Sequence, residues 1–160
     1  MEFVAPDKNN KEDIEFLLQL YNDPLVKNEG LNSIDNTTIY KKDIINTIEY
    51  FELHNYYFYI INYNNIKCGI IMIYDIKGSS ASLGIAISEK FRNKSIARSA
   101  FNKVFSFLKL INIYTIYGLV YKDNVISRKL VKHFDFEEGP DEFMDIDGKK
   151  IYYNIFTKHL

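Results

Sequence analysis

The sequence predicts a mixed α/β (α+β) layer fold, with helices packed on both faces of a largely antiparallel sheet. Two patterns predict it. Apolar residues recur at helical spacing in several segments, and runs rich in β-branched and aromatic residues bounded by turn signals lie between them. The resulting order is strand, two helices, three strands, helix, strand, helix, two strands. A chain of 160 residues that is 47% hydrophobic suits one compact domain. No repeat, low-complexity linker or Pro/Gly-rich boundary divides it.

Glu2 to Ala5 reads as a short first strand. Ile14, Leu17, Leu18 and Tyr21 then mark a helix that should stop at Asn22-Asp23-Pro24, because the residue before proline avoids the helical region. Tyr40 to Leu53 carries Ile44, Ile45, Ile48 and Phe51 on one face. Tyr57–Tyr63 and Ile66–Asp75 form a hairpin around Asn64-Asn65, and a turn at Lys77–Ser80 leads to a central strand, Ala81–Ser88. A polar loop, Glu89–Ser95, precedes a long helix whose stripe is Ala97, Ala100, Phe101, Val104, Phe105 and Leu108. Ile113–Tyr121 is the next strand and Asn124–His133 a short helix. Glu142–Ile146 and Lys149–Thr157 close the chain as a hairpin around Asp147-Gly148.

Composition excludes several classes of function. A net charge of −1 with interspersed signs argues against a nucleic-acid binder. The single cysteine, Cys68, sits in an apolar run and reads as a core thiol. His54, His133 and His159 are far apart, so no metal is expected. Met1–Asp7 lacks a basic start and an apolar core, and no stretch approaches the roughly 20 apolar residues of a membrane helix. The expectation is a cytoplasmic protein with no membrane partner, in which the Asn-x-Ser/Thr matches at Asn36 and Asn93 are chance.

The segment that carries chemistry is Leu83–Leu108, a strand, loop and helix. Its loop reads Phe91-Arg92-Asn93-Lys94-Ser95-Ile96-Ala97-Arg98. A helix N-terminus leaves main-chain N–H groups unpaired and carries a partial positive charge, so with Arg92, Lys94 and Arg98 around it this start suits a phosphate or pyrophosphate. The same residues also read as an ordinary solvated helix start. No dinucleotide glycine fingerprint, P-loop or nucleophile elbow is present.

A second segment follows the next strand: Asn124-Val125-Ile126-Ser127-Arg128-Lys129-Leu130-Val131-Lys132-His133-Phe134-Asp135-Phe136. Arg92, Ser95 and Ala97 resemble the Arg/Gln-x-x-Gly-x-Gly/Ala loop of the GNAT superfamily of N-acetyltransferases. Asn124, Ser127 and Phe136 resemble its Asn-x-x-Ser…Gly-Phe segment. Tyr21–Val26, the Glu138-Gly139 step and Gly148 are similar to the RimJ/RimL branch. The resemblance implies the GNAT acyl-CoA fold, with a splayed sheet that holds acetyl-CoA between Leu83–Ser88 and Ile113–Tyr121. By that likeness Ala86, Ile87 and Ser88 would face the pantetheine. Lys94, Ser95, Ile96, Ala97, Arg98 and Ser99 would hold the pyrophosphate beside Arg92 and Asn93. Asn124 and Ser127 would bond the cofactor from the other side, or serve as helix cap and neighbour. The implied activity is transfer of acetyl to a primary amine, by direct attack in a ternary complex. The acceptor would be a protein N-terminus, polyamine, amino sugar or amino acid.

Three positions depart from the family pattern. Ser95 stands where the family has glycine, as does Asp135. Val131 stands where many members carry a tyrosine that protonates the leaving thiolate. A general acid contributes roughly 10²–10⁴-fold, yet a thiol of pKa about 8.5 leaves near neutral pH at a cost of only about 2 kcal/mol. Ser88 and Tyr121 are the catalytic candidates for proton transfer, with ordinary strand-end roles as the alternative. Leu119 occupies a strand position where some relatives carry Glu, and Asp75, Glu138 and Asp141 are candidates for meeting a cationic amine. Two rival readings stay open: a catalytically silent acetyl-CoA-binding or regulatory protein, and a structural interaction domain. A homodimer could form through Tyr56–Tyr59 or the final strand.

Overall fold

The computed structural model describes residues 1–28, 37–146 and 148–160. The Asn36 match, and Asp147 of the expected Asp147-Gly148 turn, lie outside the described residues. The order is β1 (Glu2–Val4), α1 (Lys11–Asn22), α2 (Pro24–Asn28), α3 (Lys41–Leu53), β2 (Tyr57–Tyr63), β3 (Ile66–Lys77) and β4 (Ser80–Ile87), then α4 (Ile96–Leu110), β5 (Thr115–Tyr121), α5 (Val125–His133), β6 (Glu137–Ile146) and β7 (Lys149–His159). A single 3-10 turn, Glu89–Phe91, precedes α4.

The strands form one sheet in the order β1-β2-β3-β4-β5-β7-β6. Every pairing is antiparallel except β4 with β5. Alternation along the strands sends neighbours to opposite faces. Ile60 and Ile70 join Ile14, Leu17, Ile44 and Ile48 under α1 and α3. Ile61, Ile71 and Ile73 join Ala100, Phe101, Val104 and Leu108 under α4. Helices therefore cover both faces, as expected.

Proline stops α1 where predicted, but it also opens the short helix α2. Pro24 takes the first helical position, where its missing N–H costs nothing, and the Asp23 carboxylate accepts from the Leu25 N–H at 2.9 Å. Three helices end alike, each with a left-handed residue just beyond the C-cap: Asn55 (φ 54°), Asn112 (φ 60°) and Asp135 (φ 56°). The next N–H reaches back five residues: Tyr56 to Phe51 O at 2.9 Å, Ile113 to Leu108 O at 2.9 Å, and Phe136 to Val131 O at 3.1 Å. These are Schellman closures in which Asn or Asp replaces the usual glycine.

One expectation about edges is corrected. Tyr57–Tyr59 lie in β2, which sits between β1 and β3, and Phe58 is buried. The final strand β7 lies between β5 and β6. The final strand therefore offers no edge for pairing with a second chain, whereas β1 pairs only with Ile60–Asn62 and does not extend along Tyr57–Tyr59. The closing hairpin also starts earlier than expected, at Glu137, because a bulge at Gly139-Pro140 interrupts the alternation of β6.

Candidate active site

The site begins where β4 and β5 part. Their parallel ladder covers Ser80–Ser82 against Thr115–Tyr117 and then stops. From there β4 continues with β3 as far as Ile87 opposite Gly69, while β5 continues with β7 to Tyr121 opposite Tyr153. The space between them is a cavity of about 340 Å³, with Gly84 and Ala86 on one wall and Gly118 and Tyr121 on the other. Phe101, Val131 and Phe136 line it from the α4 and α5 side.

A second cavity of about 500 Å³ lies between the Phe91–Arg98 loop and α5. Ile85, Ala86, Ser127 and Leu130 line both, so the two spaces form one trough. It runs from the parted strands to the start of α4. Ser95, the N-cap there, adopts the left-handed conformation (φ 57°, ψ 12°) and makes no side-chain cap. The first helical hydrogen bond is Ser99 N–H to Ser95 O at 3.0 Å. The N–H groups of Ile96, Ala97 and Arg98 thus have no acceptor within the helix and form the partial positive end of its dipole.

Cations surround this end. The Arg92 Nε donates to Ile87 O at 3.3 Å and ties the loop to the end of β4. The Lys94 ammonium lies 5.2 Å from the centre of the Phe91 ring, and Arg98 is exposed. Across the trough, Asn124 is buried as the N-cap of α5, with its Oδ1 accepting from Ser127 N–H at 2.9 Å. The loop residues Arg92, Asn93, Ser95, Ile96, Ala97 and Arg98 all line the trough, as do Ala86, Ile87, Asn124 and Ser127. Lys94, Ser99 and Ser88 do not line it. The Ser99 N–H serves the helix, and the Ser88 N–H donates to Cys68 O at 3.0 Å.

Of the two proton-transfer candidates, Tyr121 lines the cavity and Ser88 begins the 3-10 turn beyond it. Val131 is buried and Leu119 is exposed at the cavity wall. The acidic candidates lie elsewhere. Asp75 is exposed at an irregularity of β3. Glu138 pairs with Lys132 at 3.0 Å and with Arg128; these partners, Lys132 first, hold its carboxyl below the usual range. Asp141 is held low in the same way by Lys122 and then by Asn154. Cys68 is fully buried, and burial pushes its thiol up to about 11, so it is a poor nucleophile.

Residues that the sequence reading missed complete the far end of the cavity: Val26 of α2, Met72 and Tyr74 of β3, and Met144 of β6. Met72 and Tyr74 alternate along β3 and so share a face, but nothing local distinguishes a cavity wall from core. Among the described residues, no group of three or more His, Cys, Asp and Glu could hold a metal ion, and no helix is long and apolar enough to cross a membrane.

The sheet order, with β4 and β5 parting beside the start of α4, is the mixed α/β fold that the sequence resemblance implied. Residues 8–137 match the acetyltransferase (GNAT) domain family, and the chain belongs to that family. Among solved structures, the ribosomal-protein-alanine N-acetyltransferase of Brucella melitensis superposes with a TM-score of 0.81 at 16% identity, covering 100% of both chains. The spermidine N-acetyltransferase of Vibrio cholerae, solved with CoA and spermine, gives 0.81 at 16% identity over 99% of this chain and 94% of that one. The Salmonella typhimurium protein yncA, solved with its cofactor acetyl-CoA, gives 0.78 at 12% identity over 100% and 94%. At such identities these likenesses establish the fold. No curated protein matches the chain in sequence.

Proposed function

We propose that this chain is an acetyl-CoA-dependent N-acetyltransferase of one domain, moving acetyl onto a primary amine of a small molecule or a protein N-terminus. The observation that carries the reading is the parting of β4 from β5 beyond Ser82 and Tyr117, in a trough that ends at the uncapped start of α4. Solved neighbours with acetyl-CoA or CoA share this fold.

The fit to the cofactor rests on two features of the chain. Amides of Ile96, Ala97 and Arg98 at a helix start, beside Arg92 and Arg98, are donors for a diphosphate. Beyond them, the cavity of about 340 Å³ between β4 and β5 would take the arm. Ala86 and Ile87 would line that arm, and Asn124 and Ser127 would bond it from α5. When bound, acetyl-CoA supplies an acetyl group activated as a thioester. Main-chain N–H groups of β4 would polarise a carbonyl placed against them, an electrostatic role. Tyr121, at the cavity wall, would hold or return a proton, with Ser88 as the second candidate. No acyl group would rest on the enzyme, because Cys68 is buried away from the trough.

Calorimetry tests the cofactor claim: binding in the micromolar range supports it, and none at millimolar acetyl-CoA removes it. Alanine at Arg92 and Arg98 should weaken binding by roughly tenfold or more, the usual scale for charge-assisted hydrogen bonds. Unchanged affinity would favour a structural role for the loop. Val131 and Leu119 favour a second reading, a silent acetyl-CoA-binding protein. Thiol release with a panel of amines separates the two, since a silent binder gives binding without turnover.

A further inference from the structure

The geometry points to an acceptor amine that carries an apolar substituent, with Met72 as the residue that selects it; this rests on the transferase reading above. The trough has two ends. One lies at the cations and open amides of α4, and the other at Val26, Met72, Tyr74, Leu119 and Met144. The second end is remote from the phosphate-suited loop, so it is where an acceptor meets the acetyl group. Its walls are aliphatic, thioether and aromatic, contributed by α2, β3, β5 and β6.

Met72 is held in place there. The Tyr21 hydroxyl, on the buried face of α1, donates to the Met72 sulfur at 3.8 Å. Directly across the ladder Met72 faces Gly84, where a Cβ would lie 3.1 Å from the Met72 methyl. The missing side chain of Gly84 gives the Met72 methyl its place at the wall, and the hydroxyl fixes its sulfur. A wall so arranged gains by covering hydrocarbon. A polycation brought against it would lose hydration without a carboxylate among the described lining residues to replace it. Glu138 and Asp141 are already paired with Lys132, Arg128 and Lys122.

The test measures kcat/KM for the straight-chain primary amines from propyl to hexyl, for leucine amide, for a peptide beginning with leucine, and for spermidine. Each added methylene should raise kcat/KM about fourfold until the cavity is filled, from about 0.8 kcal/mol per buried CH₂. Hexylamine should exceed spermidine by roughly a hundredfold or more on the same scale. Activity on leucine amide alone identifies a free amine as the source of the group, and activity on the peptide identifies a polypeptide end; both support the proposal. Met72→Glu should cut the hexylamine-to-spermidine ratio by roughly tenfold or more. Should that variant fail to fold, Met72→Ala should shift the optimum toward a longer or branched amine. A flat series, a preference for spermidine in the unaltered chain, or an optimum that Met72→Ala leaves in place would overturn it. Acetyl-CoA calorimetry separates the failures: binding with turnover but the wrong amine preference sinks this inference alone, whereas binding with no turnover on any amine, or no binding, sinks the transferase reading as well.

Discussion

Replacing Ser95 with glycine would relax the residue on which the anion-suited loop turns. Ser95 sits at φ 57° and ψ 12°, where a side chain crowds the following carbonyl, at a cost of about 1–2 kcal/mol for an L-residue. Glycine removes that cost but has more freedom to lose from the unfolded chain, about 0.4–1 kcal/mol. The Ser95 hydroxyl makes no capping bond, so its loss subtracts nothing from the helix. The balance is a gain of about 0.5–1 kcal/mol, or a rise in Tm of roughly 1–4 °C for a chain of this size. Scanning calorimetry measures the first effect, and titration with acetyl-CoA measures whether the bare backbone binds as well as the serine loop. Ser95→Val should move the other way, since a β-branched residue resists this conformation further. A lower Tm for Ser95→Gly would refute the strain argument. A clear loss of acetyl-CoA affinity would instead give the hydroxyl a ligand-binding role.

Three further outcomes follow from contacts described above. Asn154 is 1% exposed; its amide donates to Gly139 O, Pro140 O and Asp141, and its carbonyl accepts from Arg128. Asn154→Ala should cost about 2–4 kcal/mol by leaving buried groups unpaired, a fall in Tm of roughly 5–15 °C, and a fall under roughly 2 °C would deny it this role. Glu138 and Asp141 both titrate below the usual carboxylate range when folded, so they add stability above their unfolded values and lose it as pH falls through the folded ones. Melting curves across the acid range should show that loss, reduced in a Glu138→Gln, Asp141→Asn double variant; identical curves would show the pairs contribute nothing. Cys68→Ala should keep turnover, with a modest stability cost of about 1 kcal/mol, whereas loss of transfer in a folded variant would call for a covalent intermediate.

The sequence exposes the strand, loop and helix around Arg92 because apolar periodicity, cations and a helix start coincide over a few residues. The trough itself depends on where β4 and β5 stop pairing, and the residues that decide this are distant in the chain. Nothing at Ser82 or Tyr117 marks the last rung. Met72, Tyr74 and Val26 stayed hidden for the same reason, since a residue beside a cavity and one inside a core follow the same alternation. Helix α2 is not legible in the sequence because Pro24 signals a stop for α1 while it also serves as a start. The acids Glu138 and Asp141 looked available in the sequence, and the fold brings Arg128, Lys132 and Lys122 against them. The edge pairing expected of the final strand fails because the chain folds β6 back along its far side, so β7 lies between β5 and β6.

The helix closures at Asn55, Asn112 and Asp135 change how the chain's small glycine content should be understood. With only 7 glycines, it keeps Gly78 and Gly148 for two of the left-handed turns among the described residues and entrusts the others to asparagine, aspartate and serine, including Asn64-Asn65 and Asn93. Each such turn is slightly sprung, and each lies outside the packed interior. Tolerance to heat could therefore rise in separate small steps, one codon at a time, in loops that touch neither the sheet core nor the acceptor wall. The chain holds an untapped margin of robustness in its corners.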